Sequence, residues 1–389
     1  YNDSQTKKPI VHHARVLVNR YEITDFLYRE LPSMLSSSIE PSEVLCTFDI
    51  CSVLQKSPVD MDEDNETHAP IHVRIGINME KLSKDDFFPL YSFINKYHRI
   101  SFDFYDKSGF GDQNLIVVKD RAAVQCSIDQ SGRVTLAVVI TDPEKVEKIY
   151  NRTLSLFKIN HLLIMATTAK EMMQTGYRSN FYAYGEFQMF LAKGCEFFLP
   201  PDIIDSIIRS SYEQGFDEYM EKFFRRLIVT WDDIFSKEKA DFFMLKSTLL
   251  KYIEDGELYF TDVMHKIEER KAHLNHVLEM CEKNPNINFY VIDEEKISTS
   301  PQLMNFSLFN NHKKLFMKNI RRFHTDFGPQ FYSILNEGLI NMITEYMDDI
   351  KNLDSVTNYP ASSLPDFMDR YGGMVYRMLS LSELNSFCM

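Results

Sequence analysis

The segments "ISFDFYD" (100–106) and "INFYVID" (287–293) decide how this chain is read. Each reads as a strand, each follows a helical pattern, and each ends in Asp. Two further landmarks keep step with them. "NLIVVKD" starts at Asn114 and "NFSLFNN" at Asn305, both as strands; "TDPEKVEKIY" starts at Thr141 and "TDFGPQFYSI" at Thr325, both as helix openings. From 100 to 287, 114 to 305 and 141 to 325 the separations are 187, 191 and 184 residues. Each half therefore runs helix, strand, strand, strand, helix. The expectation is a mixed α/β (α+β) chain of two similar sheet-plus-helix domains, duplicated about a pseudo-two-fold axis, with helical N-terminal and connecting segments. A crevice between the halves is the expected place for a ligand. The plainer alternative is two ordinary α/β domains that share a common order of elements.

Working outward, "VNRYEITDFLYREL" carries apolar residues at helical intervals, and "EPSEVLCTFDICSVL" follows with a Pro-Ser-Glu start that suits a helix. Residues 1–56 are thus expected to be a helical segment. The acidic, Pro-bounded "SPVDMDEDNETHAP" (57–70) reads as a linker. A first α/β domain is expected over 71–158, a mostly helical connecting region over 159–239, and a second α/β domain with C-terminal helices over 240–389. "KDDFFPLYSFINKY" reads as a helix despite Pro89, and "KSTLLKYIEDG" as one ended by Gly256. Thr141 to Glu144 is spaced as a Thr-x-x-Glu capping box, with Pro143 in the first turn.

Composition narrows the function classes. The 389 residues carry a net charge of −13, which makes the chain by itself a poor binder of nucleic-acid phosphates. Only 13 glycines are present, which disfavours Gly-rich nucleotide loops. The six cysteines fit no zinc spacing, and no G-x-S-x-G, H-E-x-x-H or Walker motif occurs, so neither metal nor cofactor is expected. No apolar run approaches the roughly 20 residues of a membrane span, so no membrane partner is expected and the cytoplasm is the expected compartment. The chain begins at Tyr1, which reads as a piece with something upstream.

Two stretches offer sites. "HKKLFMKN" (312–319) carries His312, Lys314 and Asn319 at the spacing of H-x-K-x-x-x-x-D, with Asn in place of the acid. Read as a strand, it puts His312, Lys314, Phe316 and Lys318 on one face and turns Leu315 and Met317 to the core. Residues 312–324 hold five Lys or Arg and no acid. That suits either a solvated strand face or a site for a phosphorylated or carboxylated effector. "NFYAYGEFQMF" (180–190), just after Arg178, sets Tyr182, Tyr184 and Glu186 among aromatics, as core packing or as an aromatic-lined pocket. His312, Lys314, Lys318, Arg178, Tyr182 and Tyr184 are the candidate ligand-binding residues.

The His-x-Lys spacing and the duplicated order resemble phospholipase D-like folds. That resemblance implies one histidine attacking phosphorus, a second protonating the leaving oxygen, and lysines holding the phosphate charge. At the 191-residue separation the first half offers Arg121, Ala123 and Ile128, so no second histidine stands there.

A second resemblance is carried by "FFMLKSTLLKYIEDGEL", "RKAHLNHVLEMCEKNPNINFYVIDEE", "FSLFNNHKKLFM" and "LINMITEYMDDI". In the first half it is carried by "LIVVKDRAAVQCSIDQSGRVTLAVVITDPEKVEKIYNRTLSLF". These phrases resemble the effector region of a group of bacterial helix-turn-helix transcriptional regulators from Firmicutes. The resemblance implies a non-enzymatic sensor domain in transcription regulation. It would bind a small-molecule or peptide effector, form a homodimer, and reach DNA only through an N-terminal domain absent from this chain. Residues 15–55 lack the basic recognition helix that such a domain would need. A phospholipase D-like phosphodiesterase is the runner-up, and a protein-interaction scaffold the third reading.

Overall fold

The computed structural model describes residues 14–51, 69–129, 132–183, 185–213, 218–256, 265–297, 306–319, 328–373 and 376–377. The chain divides into two compact α/β units. The first is built from the chain up to Asp86, from Lys96–Met165 and from Thr325–Pro329; the second is built from Phe87–Asn95, Ala166–His324 and the chain from Gln330 onward.

The first unit contains strands β1 (Ala14–Leu17), β2 (Ser42–Asp49), β3 (Ile71–Ile77), β4 (Ile100–Asp106), β5 (Leu115–Val118), β6 (Ala122–Ile128), β7 (Val134–Ile140) and the start of β8 (Leu162–Thr167). Their order is β1-β7-β6-β5-β2-β3-β4-β8. The trio β2, β3 and β4 is parallel, and every other neighbour is antiparallel. Helices α1 (Arg20–Asp25) and α2 (Leu31–Ser36) precede β2 and α4 (Pro143–Ile159) follows β7; α3 (Lys84–Lys96), which follows β3 in the chain, belongs over Phe87–Asn95 to the second unit.

Helix α4 forms because Asp142 caps it. Its carboxylate accepts from the Lys145 N–H at 3.0 Å, and Pro143 opens the first turn. The cap is one residue later than the Thr-x-x-Glu spacing suggests. Val146, Tyr150, Thr153 and Phe157 form the buried stripe of α4; all but Thr153 join the core cluster with Leu45, Val117 and Phe110. The Phe157 ring lies 4.6 Å from that of Phe110.

The second unit contains β9 (Glu186–Phe190), β10 (Lys239–Leu245), β11 (Ile287–Ile292), β12 (Leu308–Asn310), β13 (Leu315–Lys318), β14 (Phe331–Ile334) and β15 (Val356–Pro360). Their order is β14-β13-β12-β9-β10-β11-β15. Its helices are α5 (Ala169–Gln174), α6 (Tyr177–Phe181), α7 (Pro201–Glu213), α8 (Glu218–Phe235), α9 (Lys246–Asp255), α10 (Ile267–Lys283), α11 (Glu337–Lys351) and α12 (Leu364–Phe367). The trio β9, β10 and β11 is parallel and its other neighbours are antiparallel. Each strand from β2 to β8 therefore has its counterpart seven strands later, in the same order and sense. The strands that opened the reading, β4 and β11, both close a parallel trio.

Several local expectations are corrected. "TDFGPQFYSI" does not open a helix: its end is strand β14, and the counterpart of Asp142 is Asn336, whose side chain accepts from the Leu339 N–H at 3.0 Å to start α11. "SEVLCTFD" is not helical but is β2, held between β3 and β5. A strand buried on both faces shows no alternation, and the Pro-Ser-Glu before it imitates a helix start. The mostly helical reading of 160–240 misses β9, a central strand whose last four residues are fully buried. Most of the acidic 57–70 stretch lies outside the described residues.

Candidate functional site

The β12–β13 hairpin carries the basic motif. Asn310 pairs with Leu315, so four residues (311–314) separate the strands; in the first unit Val118 pairs with Ala122, leaving three (119–121). His312, Lys313 and Lys314 thus sit in a longer turn, not on a strand face as the alternation suggests. The pairing also leaves Arg121, Ala123 and Ile128 without a correspondence to the motif. His312 has φ +64°, the left-handed region that side chains rarely adopt.

Two asparagines hold this turn. Asn310 Oδ1 accepts from the His312 N–H at 2.9 Å. Asn311 Oδ1 accepts from the Lys313 and Lys314 N–H groups at 3.0 and 2.6 Å, and Asn311 Nδ2 donates to the Phe181 carbonyl at 2.6 Å. Asx side chains that bond the backbone two or three residues ahead are what allow the left-handed corner. The Tyr177 hydroxyl donates to the Leu315 carbonyl at 3.0 Å, and burial pushes its pKa up. The Lys314 ammonium lies 5.2 Å from the Tyr177 ring centre, within cation–π range. His312 Nε2 stands 3.9 Å from Glu186 Oε2, which also faces Lys239 at 3.7 Å.

The structure therefore brings the His312–Lys314 turn against helix α6, the segment that contains Arg178. Arg178 contributes to that helix; its side chain, and Tyr184 as a whole, lie outside what is described. Tyr182 is buried among Phe181, Phe187 and Trp231. Lys318 is not on the face of His312. It is 1% exposed at the far end of β13, ion-paired with the equally buried Glu196, with its ammonium 4.4 Å from the Phe309 ring centre. Tyr177, Asn310, Asn311 and Glu196 escape sequence reasoning, although two consecutive asparagines before a basic run are a usable turn signal.

Below the turn runs a row of polar residues across four strands. Asn310 of β12 is opposite Gln188 of β9, Gln188 is opposite Asp241 of β10, and Asp241 is opposite Asn288 of β11. Asn310 Nδ2 donates to Gln188 Oε1 at 3.1 Å and to Thr344 Oγ1 at 2.8 Å; Gln188 Nε2 donates to Asp348 Oδ1 at 2.8 Å. Lys351 bridges Asp348 and Asp241, each at 2.8 Å, and Asn288 Nδ2 donates to Asp241 Oδ1 at 2.9 Å. Thr344, Asp348 and Lys351 all belong to α11.

A second buried polar group lies deeper. His273 Nε2 donates to the Phe197 carbonyl at 2.8 Å, and Nδ1 accepts from the Tyr252 hydroxyl. Beside it is a cavity of about 30 Å³, about one water in size, lined by Cys195, Met244, Tyr252 and Phe289 among others. Burial pushes the Cys195 thiol up to about 12, so it is a poor nucleophile at neutral pH. Among the described residues no group of three His, Cys, Asp or Glu side chains could hold a metal ion, and no helix is long and apolar enough to cross a membrane.

No protein-family model matches the chain, and no curated protein matches it in sequence. Solved structures similar to it include TrmBL2, an archaeal chromatin protein, at 14% identity and TM-score 0.25, over 41% of this chain. The chain covers 57% of TrmBL2's length. Others are phosphatidylserine synthase from Haemophilus influenzae and NUC, a phospholipase D family member from Salmonella typhimurium. The synthase has 7% identity, TM-score 0.31 and coverage of 96% of this chain and 94% of that one. NUC has 10% identity, TM-score 0.28 and coverage of 38% and 96%. At these TM-scores the likenesses carry no argument about activity.

Proposed function

We propose that the chain is a ligand-sensing region of a transcription regulator, which binds an anionic small molecule or peptide at the His312–Lys314 turn against α6. Arg178, a residue of α6, and Tyr184 are the proposed further contacts. DNA would be reached through a separate domain, and the active form would be a homodimer. The observation that supports this reading is the hairpin comparison. The His-x-Lys turn stands in one unit, and its counterpart (119–121), which carries Lys119 and Arg121, is shorter and has no histidine, whereas a two-histidine phosphoryl transfer needs one from each half.

The test is a thermal-shift and calorimetric screen with phosphorylated and carboxylated metabolites. A ligand is expected to raise the melting temperature of the wild-type protein and to lose at least tenfold in affinity in the His312→Ala/Lys314→Ala variant. A panel without a binder, or one whose binders ignore both substitutions, overturns the assignment. The His-x-Lys spacing favours phosphodiester hydrolysis as a second reading. It requires turnover of a model phosphodiester that disappears in His312→Ala.

A further inference from the structure

We infer that the polar row under α11 is a positioning relay in which Asp348 and Thr344 fix the His312 turn through the amide orientations of Gln188 and Asn310. Its regulatory meaning rests on the turn being the ligand site; its mechanics do not.

A carboxylate can only accept, so Asp348 fixes Gln188 with Nε2 toward the helix and Oε1 toward Asn310. Gln188 Oε1 then demands a donor, which turns Asn310 Nδ2 inward. The Thr344 hydroxyl already donates to the Ile340 carbonyl at 2.7 Å, so toward Asn310 it too can only accept. Both constraints leave Asn310 Oδ1 facing outward, where it accepts from the His312 N–H. An inverted Asn310 would set its NH₂ against that N–H, donor to donor, and the left-handed corner would lose its brace. The row is therefore a chain of two-state amides whose sense is set from α11. Burial makes the wrong sense costly, because Gln188 and Asn310 have no water to turn to: they are 2% and 0% exposed.

The first unit repeats the arrangement with other side chains. Each row takes the residue after the start of its third parallel strand: Ser101 after Ile100, and Asn288 after Ile287. Glu43 and His72 continue it across β2 and β3. Lys119, just past β5, donates to Glu43 Oε1 at 3.1 Å, and Tyr150 donates to Glu43 Oε2 at 2.6 Å. Tyr150 and Thr344 each lie eight residues beyond their helix caps, Asp142 and Asn336. In both units a residue at the hairpin end is thus tied through one strand side chain to the helix after the hairpin.

Two amides in one turn supply the test. The His312 N–H depends on Asn310 and hence on the relay, whereas the Lys314 N–H depends on Asn311, which is tied to α6. Hydrogen exchange is read by amide NMR at single-residue resolution in the full chain without ligand. In Asp348→Leu/Thr344→Val the His312 amide is expected to exchange at least tenfold faster while Lys314 changes less than twofold. Asp348→Asn keeps an acceptor for Gln188 and is expected to stay within twofold at both. If the double variant does not fold, Thr344→Val alone is expected to accelerate His312 selectively, by about threefold. Unchanged exchange at His312, or equal acceleration at both amides, overturns the relay. Since no ligand is involved, a failed metabolite screen leaves this result standing.

Discussion

His273 makes a sharp prediction about pH. Its ring, in α10, is held between the Phe197 carbonyl and the Tyr252 hydroxyl, and it is neutral, with the proton on Nε2. Burial pulls its pKa from 6.5 to about 4. The folded state disfavours the proton that the unfolded chain binds below pH 6.5. The stabilisation is therefore fully present above that pH and is lost as the pH falls from 6.5 through 4. The loss runs at roughly 1.4 kcal/mol per pH unit in that window, so it reaches about 2 kcal/mol at pH 5. His265, also buried and with its pKa lowered, adds a loss of the same sign, so wild-type acid sensitivity alone does not isolate His273.

The perturbation that does isolate it is His273→Gln, which keeps a donor for the Phe197 carbonyl and cannot titrate. Trp231 is the only tryptophan, and its ring lies 4.6 Å from that of Phe197, so its fluorescence reports on this core. Urea unfolding of wild type and variant is compared at pH 7.5 and pH 5. The gap in unfolding free energy between them is expected to shrink by about 2 kcal/mol at the lower pH, since the other groups titrate in both proteins. A gap that stays constant within about 0.5 kcal/mol would refute the assignment of a neutral, buried His273.

Three other outcomes follow from the packing. Lys318→Met leaves Glu196 buried without its partner and is expected to cost roughly 3–5 kcal/mol in urea unfolding, while Lys318→Met/Glu196→Leu recovers most of that loss. Gly256→Ala is expected to destabilise the second unit by roughly 1–3 kcal/mol or more, because φ is +74° and the added carbon would stand 2.3 Å from the His265 carbonyl oxygen; calorimetric melting reads this directly. His312→Ala/Lys314→Ala, on a solvent-reached turn, is expected to change unfolding free energy by less than about 0.5 kcal/mol, which separates its binding defect from a folding defect.

What could be read from the residues was the order of elements, because strand and helix periods survive in β4, β5, β11, α4, α9 and α10. Central strands were hard to read. β2 and β9 are covered on both faces, so alternation vanishes and helix-like caps nearby dominate. The hairpin turn reads as strand because His312, Lys314 and Lys318 alternate by accident. The pairing of Asn310 with Leu315 sets the first two in the turn, and burial sets the third in the core. Lone polar residues within apolar strands, Gln188 in "EFQMF" and Asp241 in "ADFFML", were the available signal for the polar row, yet pairing them required the register.

Burial explains why the two units carry the same polar row with different chemistry. In the first unit Lys119 and Glu43 are 44% and 37% exposed, so water offsets their charges and a salt bridge serves. In the second unit the same two positions, Asn310 and Gln188, are closed beneath α11. An isolated charge pair there would face a desolvation cost of several kcal/mol per ion, which neutral amides avoid while keeping one donor and one acceptor each. The remaining charge, Asp241, is retained where Lys351 and Asn288 both reach it. Amides also bring what a salt bridge lacks, a sense of direction. Both hairpin tips are left-handed, Asp120 at φ +61° and His312 at φ +64°, and in the covered row that corner is braced by the directed Asn310 amide.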